Sequence, residues 1–138
     1  MTHDLRGKVA LVTGAVIVTT PQDVSLVDAR KGLEMFREVR VPVLGIVENM
    51  SFFVGEDGKR YDIFRHGGGR KLATAAGVAF LGEIPIDPRV AECGDQGDPI
   101  VHKYPESPAA KAYHALALKV AREIQKGGPP DELPEVEL

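Results

Sequence analysis

The first candidate site is a group of polar residues that follows a short apolar run. Val43 to Val47 has the length and β-branched content of a strand buried on both faces, as in a parallel sheet. Glu48, Asn49 and Ser51 come directly after it. Ligands of open α/β sheets bind just past the carboxyl ends of the strands, so these side chains stand where a ligand would bind. They could equally only cap the strand as the chain leaves the core, and position alone does not separate the two interpretations.

The second candidate is a glycine run in front of a predicted helix. His66-Gly67-Gly68-Gly69 leads into Arg70 and Lys71, and the free N–H groups at a helix start favour a phosphate. A plain flexible connection is the favoured interpretation, because glycine runs mostly serve turns. The 138 residues contain no Gly-x-x-x-x-Gly-Lys-Ser/Thr, so the run is not a Walker A loop.

The other reactive side chains have no neighbours at the spacings that indicate a metal site or a catalytic pair. His66 lacks a neighbour at metal-ligand spacing, so it is interpreted as structural or solvent-exposed. Cys93, the only cysteine, is interpreted as an unreactive thiol at a helix end. Glu83 and Asp87 flank Pro85, but nothing makes them an acid–base pair. We therefore predict no catalytic residue and no metal ligand.

Alternating strand and helix patterns predict the elements that position these residues. The predicted strands are 9–20 with a break or bulge at Gly14, 43–47 and 80–84, and the predicted helices are 23–39, 70–76 and 108–125. This order indicates right-handed crossovers, hence an α/β fold with a parallel sheet flanked by helices. Between these elements we predict a loop or small hairpin over 52–65, one or two helical turns over 87–92 and irregular structure over 93–104.

Composition narrows the class of protein. Hydrophobic residues make up 43% and charged residues 27%, which is typical of a globular domain. The net charge of -3 gives no electrostatic case for nucleic-acid binding, and no apolar run is long enough to span a membrane or resembles a signal peptide. We predict a cytoplasmic protein with one domain over 1–126 and a disordered acidic tail over 127–138.

The amino-terminal segment resembles one enzyme class. Gly7 to Ala15 resembles the opening strand of short-chain dehydrogenases. In that class a turn of the form Gly-x-x-x-Gly-x-Gly should follow, whereas Val16-Ile17-Val18 continues the strand pattern here. The Tyr-x-x-x-Lys pair of that class is also absent, so an oxidoreductase ranks last among the alternatives.

Several strings along the chain agree, in order, with one family. They are residues 14–24 (GAVIVTTPQDV), 28–32 (DARKG), 45–51 (GIVENMS), 62–64 (DIF), 66–69 (HGGG) and 81–88 (LGEIPIDP). From Gly14 onward the chain closely resembles the Mrp group of P-loop ATPases, within the MinD-like class. The resemblance implies the C-terminal half of a doubly wound nucleotide-binding domain. It also implies a cytosolic, homodimeric, ATP- and magnesium-dependent carrier that serves iron–sulfur client proteins.

The resemblance also assigns a cofactor site. Asn49 matches the asparagine that contacts the adenine ring, and Pro85, Ile86 and Asp87 match the loop that packs beside the base. The segment from Thr20 to Gln22 matches a third strand end on the same side of the sheet.

Two departures from the family change the expected activity. The part of the family that carries the Walker A lysines and the magnesium ligands has no match in these residues, so we expect no ATP hydrolysis by this chain alone. Residues 53–58 replace the family's Cys-x-x-Cys, so we do not expect an iron–sulfur cluster there. Half a sheet exposes an apolar edge, which predicts association with another copy or with a P-loop-bearing chain. The alternative function is a non-enzymatic module, a truncated or recombined chain that oligomerises or binds a partner.

Overall fold

The computed structural model describes residues 14–126. The strand predicted over 9–13 and the acidic tail predicted over 127–138 lie outside the described residues. None of the helices within 14–126 is long and apolar enough to cross a membrane.

A parallel three-stranded sheet forms the centre of the fold, as predicted. Its strands are β1 (Ala15–Thr19), β2 (Val43–Glu48) and β5 (Phe80–Glu83), and their spatial order is β1-β2-β5. A separate antiparallel hairpin consists of β3 (Phe53–Val54) and β4 (Arg60–Tyr61). The helices are α1 (Asp23–Glu38), α2 (Gly68–Ala76), α3 (Pro88–Gln96), α4 (Ile100–Lys103) and α5 (Pro108–Lys126). The hairpin alternative for 52–65 is therefore confirmed, and the three helices predicted over 23–39, 70–76 and 108–125 form within one or two residues of those bounds.

The helices cover both faces of the sheet. On one face α1 and α2 pack through Leu33 and Leu72 onto Ile17 and Ile46. On the other face α5 packs onto a cluster of Val47, Leu81 and Ile84. The central strand β2 is the most deeply buried, which explains its unbroken apolar pattern.

The prediction of irregular structure over 93–104 was wrong. Pro88 follows the N-cap Asp87, and α3 continues until Gly97 ends it in the left-handed conformation at φ 69°. Pro99 then precedes the single turn of α4. Cys93 consequently lies within a helix with only 1% of its surface exposed, not at a helix end. A short helix closed by its own proline and glycine resembled a loop because those residues are also common in turns.

Candidate functional site

Polar residues gather at the carboxyl edge of the sheet, as the sequence predicted. Thr19, Glu48 and Glu83 are the last residues of β1, β2 and β5, and they lie side by side in the strand register. The backbone N–H of Asn49 donates to the Thr19 carbonyl at 2.7 Å. This edge therefore brings the ends of all three strands into one region.

Glu48 is a completely buried carboxylate at this edge. Its Oε1 accepts hydrogen bonds from Ser51 Oγ at 2.7 Å and from the Gly67 N–H at 3.2 Å. Its Oε2 accepts one from the Gly69 N–H at 2.6 Å. Backbone donors of this kind hold a buried carboxylate without a basic partner.

These bonds correct both interpretations of the glycine run. Residues 66–69 do cradle an anion at the start of α2, but the anion is the protein's own Glu48 and leaves those N–H groups closed to a phosphate. The same bonds tie the run down, so it is not a plain flexible connection. Gly69 also approaches Glu48 closely: a Cβ there would lie 3.0 Å from the Glu48 Cβ, so a larger residue would push that side chain aside.

Asn49 differs from Glu48 and Ser51, the other two candidate residues after β2. Met50 turns the chain at φ 51°, and Asn49 is half-buried at the side of an open pocket of about 550 Å³ that runs along β1. Thr20 and Asp28 also line this pocket. Glu48 and Ser51 thus follow the capping interpretation, whereas Asn49 retains a position from which it can contact a ligand.

The structure places the two segments of the predicted cofactor site side by side. Ile84 N–H donates to the Glu48 carbonyl at 2.9 Å, Ser51 N–H to the Ile84 carbonyl at 3.0 Å and Ile86 N–H to the Phe52 carbonyl at 2.7 Å. Pro85 is buried between these bonds and Ile86 is half-exposed.

Asp87, the last of the predicted cofactor residues, is hydrogen-bonded to Arg89 at the start of α3. Its Oδ1 accepts the Arg89 N–H at 3.0 Å and Arg89 Nε at 2.9 Å, and its Oδ2 accepts Nη2 at 2.7 Å. The hydrogen bonds from the Arg89 side chain hold the pKa of the Asp87 carboxyl below its usual value. The carboxylate therefore starts α3 and fixes the loop that carries Pro85 and Ile86.

One group of side chains has the composition of a metal site. Potential ligand atoms of Glu48, His66 and Glu83 lie within 4.8 Å of one another. Arg60, however, contacts His66 Nδ1 at 2.8 Å and Glu83 Oε2 at 3.4 Å, with its guanidinium 4.0 Å above the Phe52 ring. The Arg60 guanidinium therefore already contacts two of the three side chains, His66 and Glu83, whereas Glu48 is bonded to Ser51 and to the glycine run.

The turn between β3 and β4 is held by a carboxylate. Asp57 accepts hydrogen bonds from the Lys59 N–H at 3.0 Å and the Tyr61 hydroxyl at 2.7 Å. The Tyr61 hydrogen bond lowers the pKa of Asp57, and the same bond raises the pKa of Tyr61. The hairpin tip is thus closed by ordinary hydrogen bonds at the position where the sequence has Gly55 to Gly58 and no cysteine.

Sequence reasoning missed the partners of Glu48 and the role of Arg60. A carboxylate at the end of a buried strand needs donors, and that requirement could have directed attention to the glycine run. The sequence gives no comparable signal for Arg60, which lies on a hairpin and reaches Glu83 across 23 positions of the chain.

Comparison with known proteins identifies relatives along most of the chain. Residues 5–121 match the family model for ParA, described as NUBPL iron-transfer P-loop NTPase. An iron-sulfur cluster carrier protein of Deinococcus radiodurans is 54% identical over 114 residues, covering 82% of this chain and 32% of that protein. The iron-sulfur cluster transfer protein NUBPL of Mus musculus is 47% identical over 115 residues, covering 83% of this chain and 36% of that protein. The chain thus spans about a third of the length of these curated relatives.

Solved structures show the same fold. The cell division ATPase MinD of Pyrococcus furiosus superposes with a TM-score of 0.61 at 29% identity, covering 84% of this chain and 44% of that one. A nucleotide-binding protein from Archaeoglobus fulgidus, solved in complex with ADP, superposes with a TM-score of 0.57 at 36% identity, covering 71% and 39%. The strand ends, the register and these relatives agree: the chain belongs to the family of NUBPL iron-transfer P-loop NTPases.

Proposed function

We propose that this chain supplies the adenine-binding part of a cytoplasmic, homodimeric, ATP-dependent iron–sulfur cluster carrier, and that it does not hydrolyse ATP alone. The observation that supports this most is that backbone hydrogen bonds join the segment after β2, which carries Asn49, to the Pro85–Ile86 segment at the carboxyl edge of the sheet, while Asn49 lines an open pocket. Ligands of open α/β sheets bind at this edge.

The residues at this edge suit an adenine ring. The amide of Asn49 has an acceptor oxygen and an N–H donor, which can pair with the N6 donor and the N7 acceptor of adenine. On the neighbouring segment Ile86 offers a half-exposed apolar side chain, whereas Pro85 is buried. Asp87 contributes by fixing that segment, because its carboxylate oxygens are already bonded to Arg89.

The phosphate side of the nucleotide must come from elsewhere. The N–H groups of Gly67 and Gly69 are bonded to Glu48, and these 138 residues hold no Walker A sequence. Phosphoryl transfer depends on a phosphate cradle, its lysine and magnesium. We therefore propose that a P-loop-bearing segment completes the site, at the β1 edge that pairs with no other strand of residues 14–126.

The iron–sulfur cluster is the substrate of the assembled carrier. Clusters are held by thiolates, and Cys93 is buried in α3 with 1% of its surface exposed. The hairpin tip supplies no second thiol. Transfer to client proteins would therefore use cysteines from outside these 138 residues.

A non-enzymatic role as an oligomerising or partner-binding module is the second candidate. It is favoured by the exposure of Val18, at 60%, on the β1 edge. The dehydrogenase alternative loses its structural basis, because Val16 to Val18 lie within β1 and leave no room for a glycine-rich turn after Gly14.

The first experiment is a thermal melt of the chain with and without Mg-ATP. Binding to the folded state alone at 100 times the dissociation constant should stabilise it by about 2.7 kcal/mol. Asn49→Ala should lose the shift, while Gln125→Ala, which removes an exposed amide on α5, should keep it. No phosphate should be released from ATP by the chain alone.

Two results would contradict the proposal. A cooperative melt that Mg-ATP does not move would leave the partner-binding module as the better interpretation. Turnover of ATP by the purified chain, retained in Asn49→Ala, would show that the site lies elsewhere.

A further inference from the structure

Three side chains that are far apart in the sequence meet next to the β3–β4 hairpin. Glu48 and Glu83 end the neighbouring strands β2 and β5, where they are register partners, and His66 comes shortly before α2. Potential ligand atoms of the three residues lie within 4.8 Å of one another, and His66 Nδ1 is 3.9 Å from Glu83 Oε1. We call them the Glu48–His66–Glu83 cluster. The proposed function assigns no ligand to any of the three.

The donor types of the cluster suit a zinc ion. Histidine nitrogen and carboxylate oxygen are both zinc ligands, and a zinc site with three protein ligands keeps a fourth position for water. Ligand atoms of such a site are about 3.5 Å apart, since each lies about 2.0–2.2 Å from the ion. Glu83 and His66 are partly exposed, with 20% and 47% of their side-chain surface accessible. Small rotations of these two side chains would therefore close the cluster around an ion.

Glu48 retains an acceptor position for such an ion. A carboxylate has about four lone-pair positions, and residues 14–126 provide three donors: Ser51 Oγ and the Gly67 N–H at Oε1, and the Gly69 N–H at Oε2. The remaining position is on Oε2. The same donors hold this completely buried carboxylate in place, as outer-shell hydrogen bonds do in metal sites.

The surroundings of the cluster carry a surplus of negative charge. Arg60 pairs with Glu83 at 3.4 Å and with Asp62 at 3.1 Å. Within residues 14–126, no other lysine or arginine lies within 4.0 Å of the carboxylates of Glu48, Asp62 or Glu83. Three carboxylates thus share one guanidinium, and the two charges left over are those that a divalent cation would offset.

Arg60 lies where the ion would bind. It contacts His66 Nδ1 at 2.8 Å and Glu83 Oε2 at 3.4 Å, but it is an exposed residue of the two-residue strand β4 and can turn into solvent without disturbing the core. We propose that Glu48, His66 and Glu83 bind a zinc ion in place of the Arg60 guanidinium. An ion with two charges is attracted more strongly by these carboxylates than a guanidinium with one.

Calorimetric titration of the full chain with zinc chloride tests the site. His66→Gln keeps an acceptor for Arg60 but removes the imidazole, and we expect it to weaken zinc binding about tenfold or more, the loss that even an outer-shell change causes. His102→Gln, an exposed histidine on α4, should keep the natural affinity. Zinc should also shift the NMR resonances of the His66 ring nitrogens. Asn49→Ala should bind zinc as the natural chain does, which separates this site from the proposed nucleotide site.

Arg60→Gln provides a test of opposite sign. It removes a positive charge about 4 Å from the ion, so zinc should bind about tenfold more tightly. Lys59→Gln, an exposed lysine in the turn of the same hairpin, is the matched control and should leave the affinity unchanged. Equal zinc affinities of the natural chain and His66→Gln would overturn the proposal, because zinc would then bind elsewhere or adventitiously only. An affinity of Arg60→Gln no higher than that of the natural chain would overturn it as well, since the ion would then not replace the guanidinium.

Discussion

Two parts of the carboxyl edge of the sheet differ in how far the described residues bond its polar groups and cover its apolar surface. At the ends of β2 and β5, buried Glu48 accepts three hydrogen bonds and three backbone bonds join the two segments that follow. At β1, Val18 is 60% exposed and an open pocket of about 550 Å³ runs along the strand. One part is closed by its own side chains, whereas the other leaves apolar surface uncovered.

In the proposed function, this difference separates the part of the nucleotide site that the chain would provide from the part that another segment would complete. Asn49 lies between the two parts. Its backbone N–H donates to the Thr19 carbonyl, and the residue lines the pocket along β1. A preorganised contact loses little entropy on binding. In the proposed function, the closed part would hold Asn49 against the base, and the open part would receive another segment.

The largest expected effect is on the closed part, from Glu48→Ala. Removing the carboxylate leaves the Gly67 and Gly69 N–H groups and the Ser51 hydroxyl without their acceptor. Each unsatisfied group costs about 1–3 kcal/mol, so we expect about 3 kcal/mol or more to be lost from the free energy of unfolding in urea. Glu48→Gln, which keeps an acceptor, should lose less, and the exposed Glu56→Ala should change it by about 0.5 kcal/mol at most. A loss below about 1 kcal/mol in Glu48→Ala would show that Glu48 does not organise this edge.

The packing of β2 against β5 is tested by Gly45→Ala. A Cβ at Gly45 would lie 2.6 Å from the Ala79 carbonyl oxygen, so the strands must separate, at a cost of about 1–3 kcal/mol. Gly94→Ala is the matched control, because Gly94 is within α3 and has no atom within 4 Å of such a Cβ. The control should gain up to about 1 kcal/mol from helix propensity. Equal melting temperatures for the two variants would contradict the observed close approach.

A smaller, pH-dependent effect is expected at Asp87. Its pKa is lowered in the folded chain, chiefly by Arg89, so its charged form stabilises the fold above the unfolded pKa of about 3.9 and the contribution is lost as pH falls through the lowered value. Asp87→Asn keeps a capping oxygen but loses the ion pair, and Arg89 is partly exposed. We expect a loss of about 1 kcal/mol or less at pH 7, shrinking on acidification. Asp95→Asn, on the same helix, serves as the control. A stability loss in Asp87→Asn that grows below pH 4 would show that the charged form of Asp87 does not stabilise the fold.

The smallest effect on stability is expected at the open part, from Val18→Lys. Because this side chain is exposed, the free energy of unfolding should change by about 0.5 kcal/mol at most. A charge on an exposed strand should instead suppress edge association, which sedimentation velocity over a range of concentrations would measure. A natural chain that stays monomeric throughout would remove the evidence for self-association through β1.

The sequence predicted the elements better than their contacts. The apolar run before Glu48 and the alternation of strand and helix were sufficient for the parallel sheet, because burial and periodicity are local signals. The α3–α4 region was missed, since its proline and glycine caps resemble a loop. For the candidate site, the resemblance supplied Asn49 and Pro85 to Asp87. The structure confirms that the two segments adjoin, and their contact with adenine stays a prediction.

By itself, the sequence determined which residues end the central strands and which family the chain resembles. Only the tertiary structure decided what those residues do. It paired Glu48 with Gly67 and Gly69, which are 19 and 21 positions away, and placed Asn49 beside a pocket. The physical reason is that a polar group's role depends on the donors that packing brings within about 3 Å of it, and these donors come from parts of the chain whose distance no local pattern encodes.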